Sequence, residues 1–209
     1  MTTAAWALLV IAAVFAVGNW IAVARGAQRL MYVCKPATLL FLITVALTLD
    51  PVHADMRAWF VVALVFSLLG DVFLMLPADR FVAGLGSFLL AHVAYTVGLN
   101  LHSDGLWLLA IPVPFVAGAL AVRLVRGIKS KHEDALVPPV LAYVVVIGAM
   151  VCSAVASGNA LAAVGALLFM SSDALIGETR FVTARPWAGV AIMVTYHLGQ
   201  AGLVLSLVR

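Results

Sequence analysis

Two aspartates stand inside long apolar stretches of this 209-residue chain: Asp71, closing Ser67-Leu68-Leu69-Gly70-Asp71, and Asp173, closing Phe169-Met170-Ser171-Ser172-Asp173. A carboxylate in hydrocarbon costs about 2.5–3.5 kcal/mol on insertion scales, so each asks for a reason. Two carboxylates in differing surroundings can divide acid and base work, the uncharged one donating a proton while the ionised one stabilises a cation or activates water. Glycosidases apply this division to an oxocarbenium-like transition state.

Other polar side chains recur at related depths. Asn19, Lys35, Ser67, Ser87, Ser171 and Ser172 fall in the same half of their apolar runs as the aspartates. They suggest a cavity open to one leaflet. Nearer the midplane, His92 and Tyr95 are three residues apart and share a helix face, and Tyr196, His197 and Gln200 occupy a similar level. A structural reading stands beside the catalytic one: the aspartates as partners of Lys35 or of helix ends, and Tyr95, Tyr196 and Gln200 as interhelical hydrogen bonds. His92, His197 and Asp173 are also conceivable zinc ligands, but the usual ligand-spacing motifs are missing, and the chemistry calls for no metal or other cofactor.

The elements that position these residues follow from composition. Hydrophobic residues make up 65% of the chain and charged residues 10%, against about 45–50% and 25% in soluble domains. The apolar runs approach the roughly 20 residues of a bilayer span. They predict an all-α, polytopic membrane protein: one domain, 1–209, with helices at 4–23, 32–49, 58–76, 81–101, 106–125, 136–157, 160–177 and 188–208. The first run reads as a spanning helix rather than a cleaved signal. The longest loop is expected from Arg123 to Ala135.

Counted on alternate sides, one face takes Arg25, Arg29, Lys35, Arg80, Arg123, Arg126, Lys129, Lys131, Arg180 and Arg185, the other only Arg57 and Arg209. Basic residues are retained on the cytoplasmic side, so both termini are expected outside it. The net charge of +3 is thus a topology signal, not a nucleic-acid footprint. Cys34 and Cys152 fall toward opposite faces and are not expected to pair. On this topology Asp71 and Asp173 lie at matching depth, about 8 Å from the basic ends of their helices at 1.5 Å per residue, and are expected to face one another where helices three and seven meet. A faint echo relates helices three and four to helices seven and eight. An offset of four helices would make the two copies parallel.

In order along the chain, Lys35-Pro36; Phe66-Ser67-Leu68-Leu69-Gly70-Asp71-Val72-Phe73-Leu74-Met75; Phe81-Val82-Ala83-Gly84-Leu85-Gly86-Ser87-Phe88 with Ala91-His92 and Tyr95; Gly165-Ala166-Leu167-Leu168-Phe169 with Ser172-Asp173; and Tyr196 with Gln200 resemble the YhhN family of membrane proteins, whose characterised animal members are lysoplasmalogenases. The resemblance implies an eight-helix hydrolase that cleaves the vinyl-ether bond of a lysophospholipid to a fatty aldehyde and a glycerophospho-headgroup. The family's paired aspartates fall on Asp71 and Asp173. His197 departs from the pattern, which has an aromatic or small residue after the tyrosine. On this reading His92 and Tyr95 orient water or the enol-ether oxygen, Lys35 holds phosphate, and membrane lipids are the other partners. The rival reading is a small-molecule or proton-coupled carrier, since intramembrane carboxylates and histidines also serve transport. Compact Ala/Val-rich helices point to a bacterial cytoplasmic membrane, and oligomeric state is not legible.

Overall fold

The computed structural model describes residues 1–208, so Arg209 of the charge comparison lies outside the described residues. Eight long helices run in sequence: α1 (Thr3–Ala24), α2 (Gln28–Thr48), α3 (Ala54–Met75), α4 (Phe81–Leu101), α5 (Pro112–Ser130), α6 (Val137–Ala156), α7 (Ala160–Gly177) and α8 (Ala188–Ser206). All eight are long and apolar enough to cross a bilayer. Only helices close every backbone hydrogen bond within one segment, which hydrocarbon demands. The chain is an integral multi-pass membrane protein.

Among the boundaries that differ from expectation, two do so for one reason. α2 begins at Gln28, and α5 runs on to Ser130 through Arg123, Arg126 and Lys129. Basic residues end an apolar run without ending a helix, because Arg and Lys are good helix formers with stems that lie along apolar surface. The expected loop from Arg123 to Ala135 therefore shrinks to the few residues after Ser130, and Lys35 moves from the opening of its helix to seven residues inside it, about 10 Å along the axis. α7 continues through a π-helical turn, Glu178–Val182, before the chain turns back.

Hydrogen bonds identify the two ends of the bundle. At one, Arg180 bonds Asp79, Lys131 donates to the Arg180 carbonyl, and Arg123 pairs with Glu178, tying together the α3–α4, α5–α6 and α7–α8 connections. At the other, the Thr2 hydroxyl donates to the Thr48 carbonyl, the Val52 amide to Leu207, and the Leu106 amide to Ala156. The expected alternation is thus present in space. Cys34 and Cys152 are free thiols.

The tightest packing joins α3 to α4, α7 to α8 and α1 to α2. Small residues permit it. A Cβ on Gly165 would sit 2.8 Å from the Leu203 amide nitrogen and one on Gly199 2.9 Å from the Gly165 carbonyl oxygen, so the α7 and α8 backbones touch there directly. α4 also packs on α6 and α2 on α8, whereas α3 and α7 have no comparable contact. The two aspartate helices thus pack on α4 and α8 rather than on each other.

Candidate active site

Each aspartate is held by one side chain from the helix before it and one from the last helix of the other pair. Asp71 of α3 pairs with the Lys35 ammonium of α2, 2.9 Å from its Oδ1. Tyr196 of α8 donates to its Oδ2 at 2.8 Å. On α7, the Oδ2 of Asp173 accepts from the hydroxyl of Tyr143 of α6 at 2.5 Å and lies 3.2 Å from Nε2 of His92 of α4. His92 Nε2 and the Tyr143 hydroxyl are themselves 2.8 Å apart. With the phenol donating to Asp173, a proton on His92 Nε2 can be shared between the phenol oxygen and the carboxylate, which closes the triangle.

The carboxylates have separate hydrogen-bond partners and, against expectation, α3 and α7 do not pack closely on each other. An aromatic layer links the partners of the two aspartates: Phe169 packs edge-on against His92 (centroids 4.7 Å apart) and Tyr196 (5.3 Å), with Phe88 against both Phe169 and Tyr196. The cause lies in helix order, because α4 and α8 fill the space that a direct α3–α7 contact would need.

The two sites also differ in access. Asp71 is 1% exposed, but its partner Lys35 lines a groove of about 700 Å³ toward the basic end, together with Asn19, Gln28, Tyr32 and Arg180. Both amide atoms of Asn19 are buried there without a hydrogen bond among the described residues. Asp173 instead borders a narrow slot, about 50 Å³, walled by Leu85, Phe88, Leu120, Val144, Ile147 and Met170. Groove and slot share Leu74, Phe81 and Ile176. A charged recess thus lies next to an apolar slot with one carboxyl on its wall.

The remaining sequence candidates separate. Tyr95 donates to Gln200 Oε1 at 2.6 Å and packs edge-on against Phe60, a buried clasp between α4 and α8. His197 accepts at Nδ1 from the Trp20 indole at 3.0 Å and lines a separate apolar pocket beside α1. The zinc alternative therefore does not assemble: His92, His197 and Asp173 do not form a ligand-sized cluster among the described residues. Ser172 donates to the Ile192 carbonyl, and the Ser67 hydroxyl is buried without a hydrogen-bond partner among the described residues. Tyr143, Trp20 and Arg180 were not singled out in the sequence. Tyr143 is a lone phenol in an otherwise apolar run, and that was the available signal. Arg180 stacks its guanidinium 4.1 Å from the centroid of Phe81, at the junction of groove and slot. Its hydrogen bond to Asp79 holds that exposed carboxyl below its usual range.

The YhhN family model matches residues 30–207, which takes in both aspartate clusters. The chain belongs to the YhhN family. Among its relatives, a Homo sapiens protein named "Lysoplasmalogenase TMEM86B" is 36% identical over 70% of this chain and 62% of its own length. A Mycobacterium tuberculosis protein named "Lysoplasmalogenase" is 32% identical over 78% of this chain and 65% of its own. An Escherichia coli O157:H7 relative, 30% identical over 53% of this chain and 51% of its own length, carries the name "Uncharacterized membrane protein YhhN". The matched region thus spans less than two thirds of each of these YhhN relatives. No solved structure matches the chain significantly.

Proposed function

We propose that this protein hydrolyses the vinyl-ether bond of lysoplasmalogen-type lysophospholipids, releasing a fatty aldehyde and a glycerophospho-headgroup. One observation carries the reading: a groove lined by Lys35 and Arg180 shares Leu74, Phe81 and Ile176 with an apolar slot that has a carboxyl on its wall. A single-chain ether lipid needs those two compartments, and its reactive bond lies where headgroup and chain meet. The names of the human and mycobacterial relatives point to the same reaction.

In this mechanism the headgroup phosphate rests near Lys35 and Arg180, and the alkenyl chain enters the slot. Asp173, protonated, delivers its proton to the alkene carbon remote from oxygen, which leaves an oxocarbenium ion on the carbon bonded to oxygen. Water adds to that carbon, its proton passing to the Asp173–His92–Tyr143 triangle. The hemiacetal then breaks its carbon–oxygen bond to give the aldehyde and the glycerol hydroxyl, consuming one water in all. Asp71 keeps Lys35 charged and oriented and, through Tyr196, closes the aromatic layer, so the two aspartates take unequal parts. Placing the basic end in the cytoplasm of a bacterium puts the groove in the inner leaflet.

The test is aldehyde release from a defined lysoplasmalogen by the purified protein in detergent. Asp173→Asn should lower the rate by about 10²–10⁴-fold, the usual worth of a positioned acid, with the bundle still folded by circular dichroism. A wild-type protein that releases no aldehyde defeats the proposed reaction, and wild-type turnover by Asp173→Asn defeats the assignment of the acid.

A further inference from the structure

At the end of the bundle away from the basic groove, three side chains from two connections converge. His53 is the residue preceding α3, Asp55 lies in the first turn of that helix, and His102 follows the last turn of α4. Nε2 of His102 is 3.0 Å from each Asp55 oxygen. The His53 and His102 rings are stacked, with centroids 3.6 Å apart and planes within 10°. One ligand atom from each of the three residues can be chosen so that all lie within 4.8 Å of one another.

From this convergence we propose a second, independent site: a divalent transition-metal site, with Zn²⁺ as its best-suited ion, formed by His53, Asp55 and His102. Bonds of about 2.0–2.2 Å from zinc to imidazole nitrogen or carboxylate oxygen put tetrahedral ligands about 3.3–3.5 Å apart. His102 and Asp55 already lie 3.0 Å apart and all three ligand atoms within 4.8 Å, so an ion entering between them has to draw His53 in and tilt the two stacked rings toward it. Two imidazoles with one carboxylate select a borderline ion over calcium or magnesium, which prefer all-oxygen shells. Electrostatics agree. The adjoining cavity, about 470 Å³, carries Asp104 on its wall and neither lysine nor arginine. Three protein ligands leave a fourth position for water from that cavity. The ion would tie the start of α3 to the end of α4, the helix pair that carries Asp71 and His92, at the opposite end from the catalytic groove.

Zinc binding to the chelator-stripped, detergent-purified chain tests the site, followed by calorimetry and by the visible absorption of Co²⁺ as a tetrahedral probe. We expect one ion per chain, with affinity lowered at least tenfold by His102→Ala and by Asp55→Asn and unchanged by His132→Ala, which removes an exposed histidine from the other end. Thermal unfolding of each variant without metal shows whether it is folded. If a variant fails to fold, the wild-type Co²⁺ spectrum decides. A wild-type chain that gives no saturable 1:1 binding, or His102→Ala and Asp55→Asn variants that bind as well as wild type, overturns the proposal. Aldehyde release is not the readout, so this site and the proposed reaction fail or stand separately.

Discussion

Lys35 and Asp71 show what a buried ion pair does in a membrane bundle. Neither charge has another ionic partner among the described residues, and both are nearly sealed from solvent. Removing one partner leaves the other uncompensated, which typically costs about 3–5 kcal/mol, whereas replacing both by apolar groups of similar volume is often neutral. Lys35→Met should therefore destabilise the protein strongly, and Lys35→Met with Asp71→Leu should recover most of the loss, as measured by thermal unfolding in detergent. A double variant no more stable than Lys35→Met would show that the pair does not act as a coupled unit. The sequence revealed the residues of this cluster but not their pairing. Asp71, Lys35 and Tyr196 stand out as polar groups in apolar runs, yet nothing in their spacing says that a lysine beside Pro36 lies two turns inside its helix. Tyr143 went unnoticed because a phenol is ordinary in apolar surroundings, and its importance comes only from the carboxylate across the helix boundary.

Among the elements, helix count and order were legible because hydrophobic length is a nearly sufficient signal when the solvent is hydrocarbon. Which helices touch was not. The expectation that helices three and seven meet came from matching depth alone, and depth does not fix position around the bundle. Glycines carry part of that missing information. Around Gly199 the atoms an added Cβ would meet belong to the α7 backbone, the Gly165 carbonyl oxygen and the Phe169 amide nitrogen, each at 2.9 Å. Backbone cannot rotate away, so Gly199→Ala should force α7 and α8 apart at a cost of about 1–3 kcal/mol. Gly86 in α4 has open space where its Cβ would be, and Gly86→Ala should be neutral or stabilising by up to about 1 kcal/mol through helix propensity. Denaturation curves of the two variants in the same detergent test the contrast. Equal effects would show that the α7–α8 approach is not the tight seam described here.

For the whole molecule, the unequal distribution of charge makes its own prediction. Arg123, Lys131, Arg180, Asp79 and Glu178 form a network across three connections at one end, while the other end is held by neutral backbone contacts and the His102–Asp55 pair. Lys and Arg near short loops set orientation because they are retained in the cytoplasm as helices insert. The basic end, with the lipid-headgroup groove, should then face the cytoplasm. In a chain with Cys34 and Cys152 replaced by alanine, Asp50→Cys marks the end opposite the groove and Glu133→Cys the basic end, and both native residues are exposed. A membrane-impermeant thiol reagent applied to intact bacterial cells should label the cysteine at 50 and leave that at 133 unmodified until the membrane is opened. The reverse pattern would put the groove on the outer face, and the lipid would then have to reach Asp173 from the other leaflet. Because α1 to α8 alternate without a break, this one pair of labels fixes the side of every connection and, with it, the compartment into which the water-soluble headgroup product is released.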